Sequence, residues 1–194
     1  MSTIQRVQDI LLRPRGTWPV IAAEPTDAAS LYRRYIAILA AVPALATFIG
    51  LTVIGVDGIR LPVGAGLLQL AIGYVLALIT VYVLALITDA LAPTFGGAKS
   101  RIQALKLIAY ASTAGFVGGI FNLLPLLSIL GLLAAIYSMV LIYTGLPVLM
   151  RCPPEKAASY AAVVIVCGLV ATVILAGITS MVVPAGPLLE RVGR

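Results

Sequence analysis

The chain has 194 residues, of which 61% are hydrophobic and 10% charged. A water-soluble domain of this size could not hide so much apolar surface. There is no histidine, which excludes His-based metal sites, general bases and pH switches, and the net charge of +6 is better explained by membrane orientation than by nucleic acid.

The N-terminal segment opens with Ile4, Val7, Ile10 and Leu11 at helical spacing, with Gln5, Arg6, Gln8, Asp9 and Arg13 assigned to the opposite face. This predicts a short amphipathic helix lying on a leaflet, ended by Pro14 and Gly16, with Trp18 at headgroup level. No continuous apolar core of a secretory signal is expected in the first 30 residues. Pro25-Thr26-Asp27 reads as the start of the first long helix.

Four charge-free windows follow: Tyr35–Val56, Leu61–Thr88, Leu107–Met150 and Ala157–Leu189. The third separates Lys106 from Arg151 by 44 residues. As one helix it would span about 66 Å, roughly twice the bilayer's hydrocarbon core. It must fold back, and Asn122 and Pro125 mark the hairpin. The fold class is thus all-α: a polytopic membrane protein with five transmembrane helices near 35–56, 66–88, 105–123, 126–147 and 159–183. Its regions are an N-terminal segment, 1–34, a five-helix domain, 35–183, and a tail, 184–194.

Five crossings place ten basic residues on one side: Arg6, Arg13, Arg15, Arg33, Arg34, Lys99, Arg101, Lys106, Arg151 and Lys156. Arg60, Arg191 and Arg194 fall on the other. The expected orientation is N-in and C-out, with the N-terminus in the cytoplasm. Small residues four apart, such as Gly115 and Gly119 or Gly168 and Thr172, fit close helix packing within the bundle or a homo-oligomer.

Chemistry concentrates in two helix ends on the basic side. The first is Asp89 to Lys99, with Pro93, Gly96 and Gly97 forcing a turn. Asp89 opposes its helix dipole, so a cationic partner is expected among Lys99, Lys106 and Lys156. The second is Tyr143-Thr144-Gly145-Leu146-Pro147. The two ends are expected to touch, closing a shallow pocket bordered by Tyr110. Cys152 and Cys167 match no metal or redox spacing. No paired-carboxylate, Ser-Lys or His-Glu constellation is present, so no catalytic residue, metal or cofactor is expected and the chain is read as a non-enzyme.

Asp89 and Pro93 stand where the Yip family, the Ypt/Rab-interacting membrane proteins, carries an Asp-Leu-Tyr-Gly-Pro element. Leu91 and Ala92 depart from its Tyr-Gly. Tyr143, Gly145 and Pro147 resemble its Tyr-x-Gly-x-Pro element. The resemblance runs from about residue 4 to about residue 183 and points to the short bacterial members. Eukaryotic members of the family engage Rab GTPases through a long cytoplasmic N-terminal domain, and only about 34 residues stand in that place here. The resemblance implies a scaffold or adaptor in the bacterial cytoplasmic (inner) membrane, working with membrane lipids and a protein partner on its cytoplasmic face. The alternative is a small-solute, ion or lipid transporter with its mouth near Asp89 and Lys156.

Overall fold

The computed structural model describes residues 3–55, 60–124 and 127–182. Pro125, Gly58 and the 184–194 tail, with Arg191 and Arg194, lie outside them. Every regular element among the described residues is helical. We number them α1 (Thr3–Leu12), α2 (Pro14–Ala23), α3 (Ala28–Ile54), α4 (Val63–Phe95), α5 (Arg101–Leu123), α6 (Ser128–Leu149) and α7 (Pro154–Val182). The last five are long and apolar enough to cross a membrane.

The crossings extend beyond the charge-free windows, because a helix need not stop where hydrocarbon stops. α3 starts at Ala28, where Asp27 is extended and its carboxylate accepts the Ser30 amide at 3.0 Å. This is the capping expected of an Asp before a helix. α4 runs past Asp89 to Leu91, tightens into a 3₁₀ turn over Ala92–Phe95, and stops at Gly96 with φ +73. That left-handed backbone is where glycine carries little strain. α7 opens on Pro154 with Glu155 in its first turn, where the missing amide and the negative charge are both favourable.

The N-terminal segment corrects the expectation of one helix lying on a leaflet. Pro14 does not end the helical region; it starts α2 as the first residue of a second helix. α1 and α2 form a hairpin docked into the bundle. Ile10, Trp18 and Ile21 are fully buried there. Arg6 is buried too. It lies four residues from Ile10, about 40° around the helix. It therefore shares the buried face and is not opposite to it.

α5 is the axis of the bundle. It packs against α3, α4 and α6 and touches α1 and α2. Every residue from Ala104 to Ala111 is buried. Close approach is carried by glycines. A Cβ on Gly118 would collide with Ala134 of α6, and one on Gly119 with Pro43 of α3. The small residues of α5 thus serve internal packing. The hairpin, the α4–α5 loop and the α6–α7 loop gather at one end, called here the hairpin end. At the opposite end a Cβ on Gly50 would lie 2.5 Å from the Asn122 carbonyl, and Asn122 reaches Thr47 at 3.3 Å.

Candidate functional site

Three groups of polar contacts lie at the hairpin end. The first packs the Asp89–Lys99 motif on the chain just past the second motif, at Met150, Pro153, Lys156 and Tyr160, and not on Tyr143–Pro147 itself. Pro93 and the 3₁₀ turn send the chain back over the end of α6, and the Ala98 amide donates to the Met150 carbonyl at 2.7 Å. Gly97 passes so close that a Cβ would sit 2.8 Å from that same carbonyl. A Cβ on Gly96 would stand 3.4 Å from Pro153 and 4.0 Å from the Lys156 ammonium. Phe95 stacks on Tyr160 with centroids 4.8 Å apart, and the Tyr160 hydroxyl donates to the Thr88 carbonyl. Cys152 is buried beneath, and burial pushes its thiol pKa up.

Asp89 belongs to this group but not as expected. It is buried, and its Oδ1 has no hydrogen-bond partner. Among the described residues the ion pair present is Arg6–Glu24, and none involves Asp89. Lys99 and Lys156 are exposed. Lys106 is buried and turned the other way, toward α2. Asp89 stands against its helix dipole without a cation, because the lysines are committed to water or to backbone.

The second group holds the hairpin in place. Lys106 donates to the carbonyls of Ile21 at 2.9 Å and Glu24 at 2.5 Å, and Gln103 to that of Ala22 at 3.0 Å. These are carbonyls at the end of α2, which lack helical partners and carry the negative end of its dipole. Trp18 Nε1 donates to Thr144 at 3.1 Å, and its ring lies over Gly145, where a Cβ would come within 2.9 Å. Tyr137 donates to the Leu11 carbonyl at 2.7 Å. The Tyr143–Pro147 motif is thus a seat for the hairpin as well as a helix end. Pro147 offers no amide to the Tyr143 carbonyl, yet the helix continues to Leu149. Tyr143 is half exposed on the outside of the bundle.

The third group is a polar pocket of about 660 Å³ beside the start of α3. Arg6 pairs with Glu24 at 2.5 Å at its edge. Tyr35 and Tyr110 form its floor, rings 4.6 Å apart, with the Tyr35 hydroxyl bonded to Thr113 at 2.7 Å. Tyr110 therefore borders this pocket and not one shared by the two motifs.

The Yip1 domain matches residues 9–175 of the chain, which takes in the first two groups and all of the third except Thr3 and Arg6. The chain belongs to the Yip1 domain family. It is 24% identical over 184 residues to the inner membrane protein YohC of Escherichia coli K12, covering 91% of this chain and 94% of that protein. YohC of Escherichia coli O6:H1 strain CFT073 matches to the same extent. No solved structure matches. With five helices of crossing length, this makes the chain a multi-pass integral membrane protein, and its relative's inner-membrane location agrees with the one expected from sequence.

The sequence reading missed Arg6, Glu24, Tyr35 and Trp18 as parts of one assembly. A signal existed for Arg6, in its spacing from Ile10. None existed for the partners of Lys106, since backbone carbonyls leave no mark in a sequence.

Proposed function

We propose that the protein is a non-enzymatic membrane scaffold or adaptor whose working surface is the hairpin end. That end faces the cytoplasm by the distribution of its basic residues. The observation that carries this reading is the contrast between that end and the interior. Both sequence motifs, the docked hairpin and the polar pocket are at the hairpin end. At bilayer depth, the cavity of about 340 Å³ between α4, α5, α6 and α7 is lined chiefly by apolar and small side chains. Of the four hydroxyls bordering it, three bond their own helices: Thr80 to Leu76 at 2.8 Å, Ser138 to Ala134 at 3.2 Å and Thr172 to Gly168 at 2.9 Å; Ser112 is the fourth. A path for a hydrated solute needs polar groups free to replace water near the midplane. Ser112 by itself is too sparse a lining for such a path, which favours organising lipids or proteins over transport.

The test is paired. A photo-crosslinking residue at Thr94, Lys99 or Lys156 in native membranes gives discrete protein adducts, whereas one at Arg60 does not. Proteoliposomes carrying the purified protein release ions and small solutes no faster than empty ones. Protein-dependent flux, with no adduct at the hairpin end, replaces this reading by the transporter.

A further inference from the structure

The pocket beside α3 contains spare hydrogen-bonding capacity in groups that are otherwise buried. Arg6 is 94% buried, being 6% exposed. Its guanidinium has five N–H donors, and among the described residues it makes one hydrogen bond, to Glu24. Tyr110 is 8% exposed, borders the pocket, and its hydroxyl has no hydrogen-bond partner among the described residues. A buried guanidinium with unspent donors beside a free phenol suits a tetrahedral oxyanion, since Arg binds phosphate through two donors at once.

The rest of the lining says which phosphate. Arg6 and Arg34 supply two positive charges, and Glu24 and Asp27 two negative ones. The lining is neutral, so a ligand with net negative charge is not favoured, whereas one carrying both signs is matched group for group. Asp27 accepts the Ser30 amide through Oδ2, which leaves its other oxygen available. The pocket lies where the first crossing begins, the level at which headgroups stand. Ile38 and Leu45, farther along α3, are exposed and give an acyl chain an apolar flank.

We propose that this pocket binds the headgroup of phosphatidylethanolamine. The phosphate accepts from Arg6, Arg34 and the Tyr110 hydroxyl, and the ammonium donates to Glu24 and Asp27. This deepens the scaffold reading and rests on it only for the face involved.

The full-length protein is purified in mild detergent and its bound lipid read by native mass spectrometry after adding phosphatidylethanolamine, phosphatidylglycerol or phosphatidylcholine. Phosphatidylethanolamine is retained in preference to both others. Tyr110→Phe removes only an unpartnered hydroxyl, so folding is kept, as an unchanged melting curve of Trp18 fluorescence verifies. It lowers phosphatidylethanolamine occupancy about tenfold, the value of one hydrogen bond to a charged group. Tyr143→Phe, outside the pocket, changes nothing. Equal retention of phosphatidylglycerol overturns the zwitterionic assignment. Unchanged binding in Tyr110→Phe overturns the site. Displacement by an equal concentration of free O-phosphoethanolamine overturns the lipid in favour of a soluble ligand. Crosslinks from Lys99 and Lys156 that persist in the Tyr110→Phe protein separate a failure here from a failure of the scaffold reading.

Discussion

α5 and α7 are both helices of crossing length, yet they solve opposite problems. The most apolar stretch of α5 has a mean hydropathy of 1.4 and is 67% buried; for that of α7 the values are 2.8 and 11%. The less apolar helix is the more buried one. In water the order would be reversed. In a bilayer, lipid already satisfies apolar side chains, so there is little gain in burying them against protein. Polar groups need partners, and only neighbouring helices supply those. α5 therefore sits on the axis, where Gln103, Lys106 and Thr113 find carbonyls and a tyrosine. α7 is attached mainly by its first turns, with Ala157, Tyr160, Ala161 and Val164 buried and Val173 and Met181 largely exposed.

The comparison breaks most sharply at glycines. Gly118 of α5 faces Ala134 with no room for a methyl group, whereas Gly177 of α7 has nothing within 4 Å. Gly118→Leu forces α5 from α6 and costs about 3 kcal/mol or more. Gly177→Leu is neutral or slightly stabilising, because it also removes a helix glycine. Thermal unfolding in detergent, followed by Trp18 fluorescence, orders the two. Equal melting temperatures would mean that α5 is not the packed axis.

A somewhat smaller effect follows from the polar side of α5. Lys106→Met keeps the stem's packing but leaves the Ile21 and Glu24 carbonyls without the ammonium. The loss is about 2 kcal/mol, the cost of buried hydrogen bonds to a charged group. It is local, loosening α2 before the bundle. Limited proteolysis between residues 13 and 24 therefore accelerates in Lys106→Met and not in Lys156→Ala, whose side chain is exposed.

These two helices also show how far a sequence can be read. The five crossings were legible because hydropathy is a property of each segment alone. Their ends were legible only in part: Pro25-Thr26-Asp27 marks the start of α3 at Ala28, whereas Arg101 begins α5 inside polar sequence that carries charge. Pro14 suits a helix stop and a first helical position equally well, and only the docking of α2 against α6 decides between them. At the site, the turn at Gly96 was legible, since Pro and Gly report local backbone, whereas the residues it packs on, Met150 and Pro153, lie beyond the Tyr143–Pro147 motif. The partner of Lys106 lies 82 to 85 residues away, in backbone of no particular sequence. For Asp89 a partner was expected and none is present, because burial sets that carboxylate apart from lysines that remain in water.

The loop covering the α6–α7 turn sharpens the comparison at a third place. Gly97→Val places a side chain against the Met150 carbonyl and costs about 1 kcal/mol. Its clearer consequence is exposure of Cys152, which lies 3.5 Å from a Cβ at position 97. The native thiol is buried with a raised pKa, so little thiolate is present at neutral pH and maleimide reacts slowly. In Gly97→Val the thiol regains water, its pKa falls toward the ordinary value, and labelling at pH 7 speeds up severalfold relative to wild type. An unchanged rate would mean that the loop does not seal this site.

The smallest effect belongs to the start of α3, at the edge of the polar pocket. Asp27 is fully exposed, and its hydrogen bonds with Ser30 hold its pKa below the usual carboxylate value. A depressed folded pKa means that ionised Asp27 stabilises the helix start. That contribution is fully present above the unfolded pKa and is lost as the pH falls through the folded one. Hydrogen exchange at the Ser30 amide reads it directly, since that amide donates to the carboxylate. Asp27→Ala raises protection-corrected exchange there at neutral pH, and the difference from wild type shrinks in acid as the native carboxylate protonates. Asp27→Asn restores a capping side chain without a charge. Its protection stays level across the same range, isolating the charge from the cap. A wild-type amide equally protected on both sides of the transition would show that the carboxylate's charge contributes nothing to this cap. α3 would then be fixed by its packing alone, like the buried turns of α5.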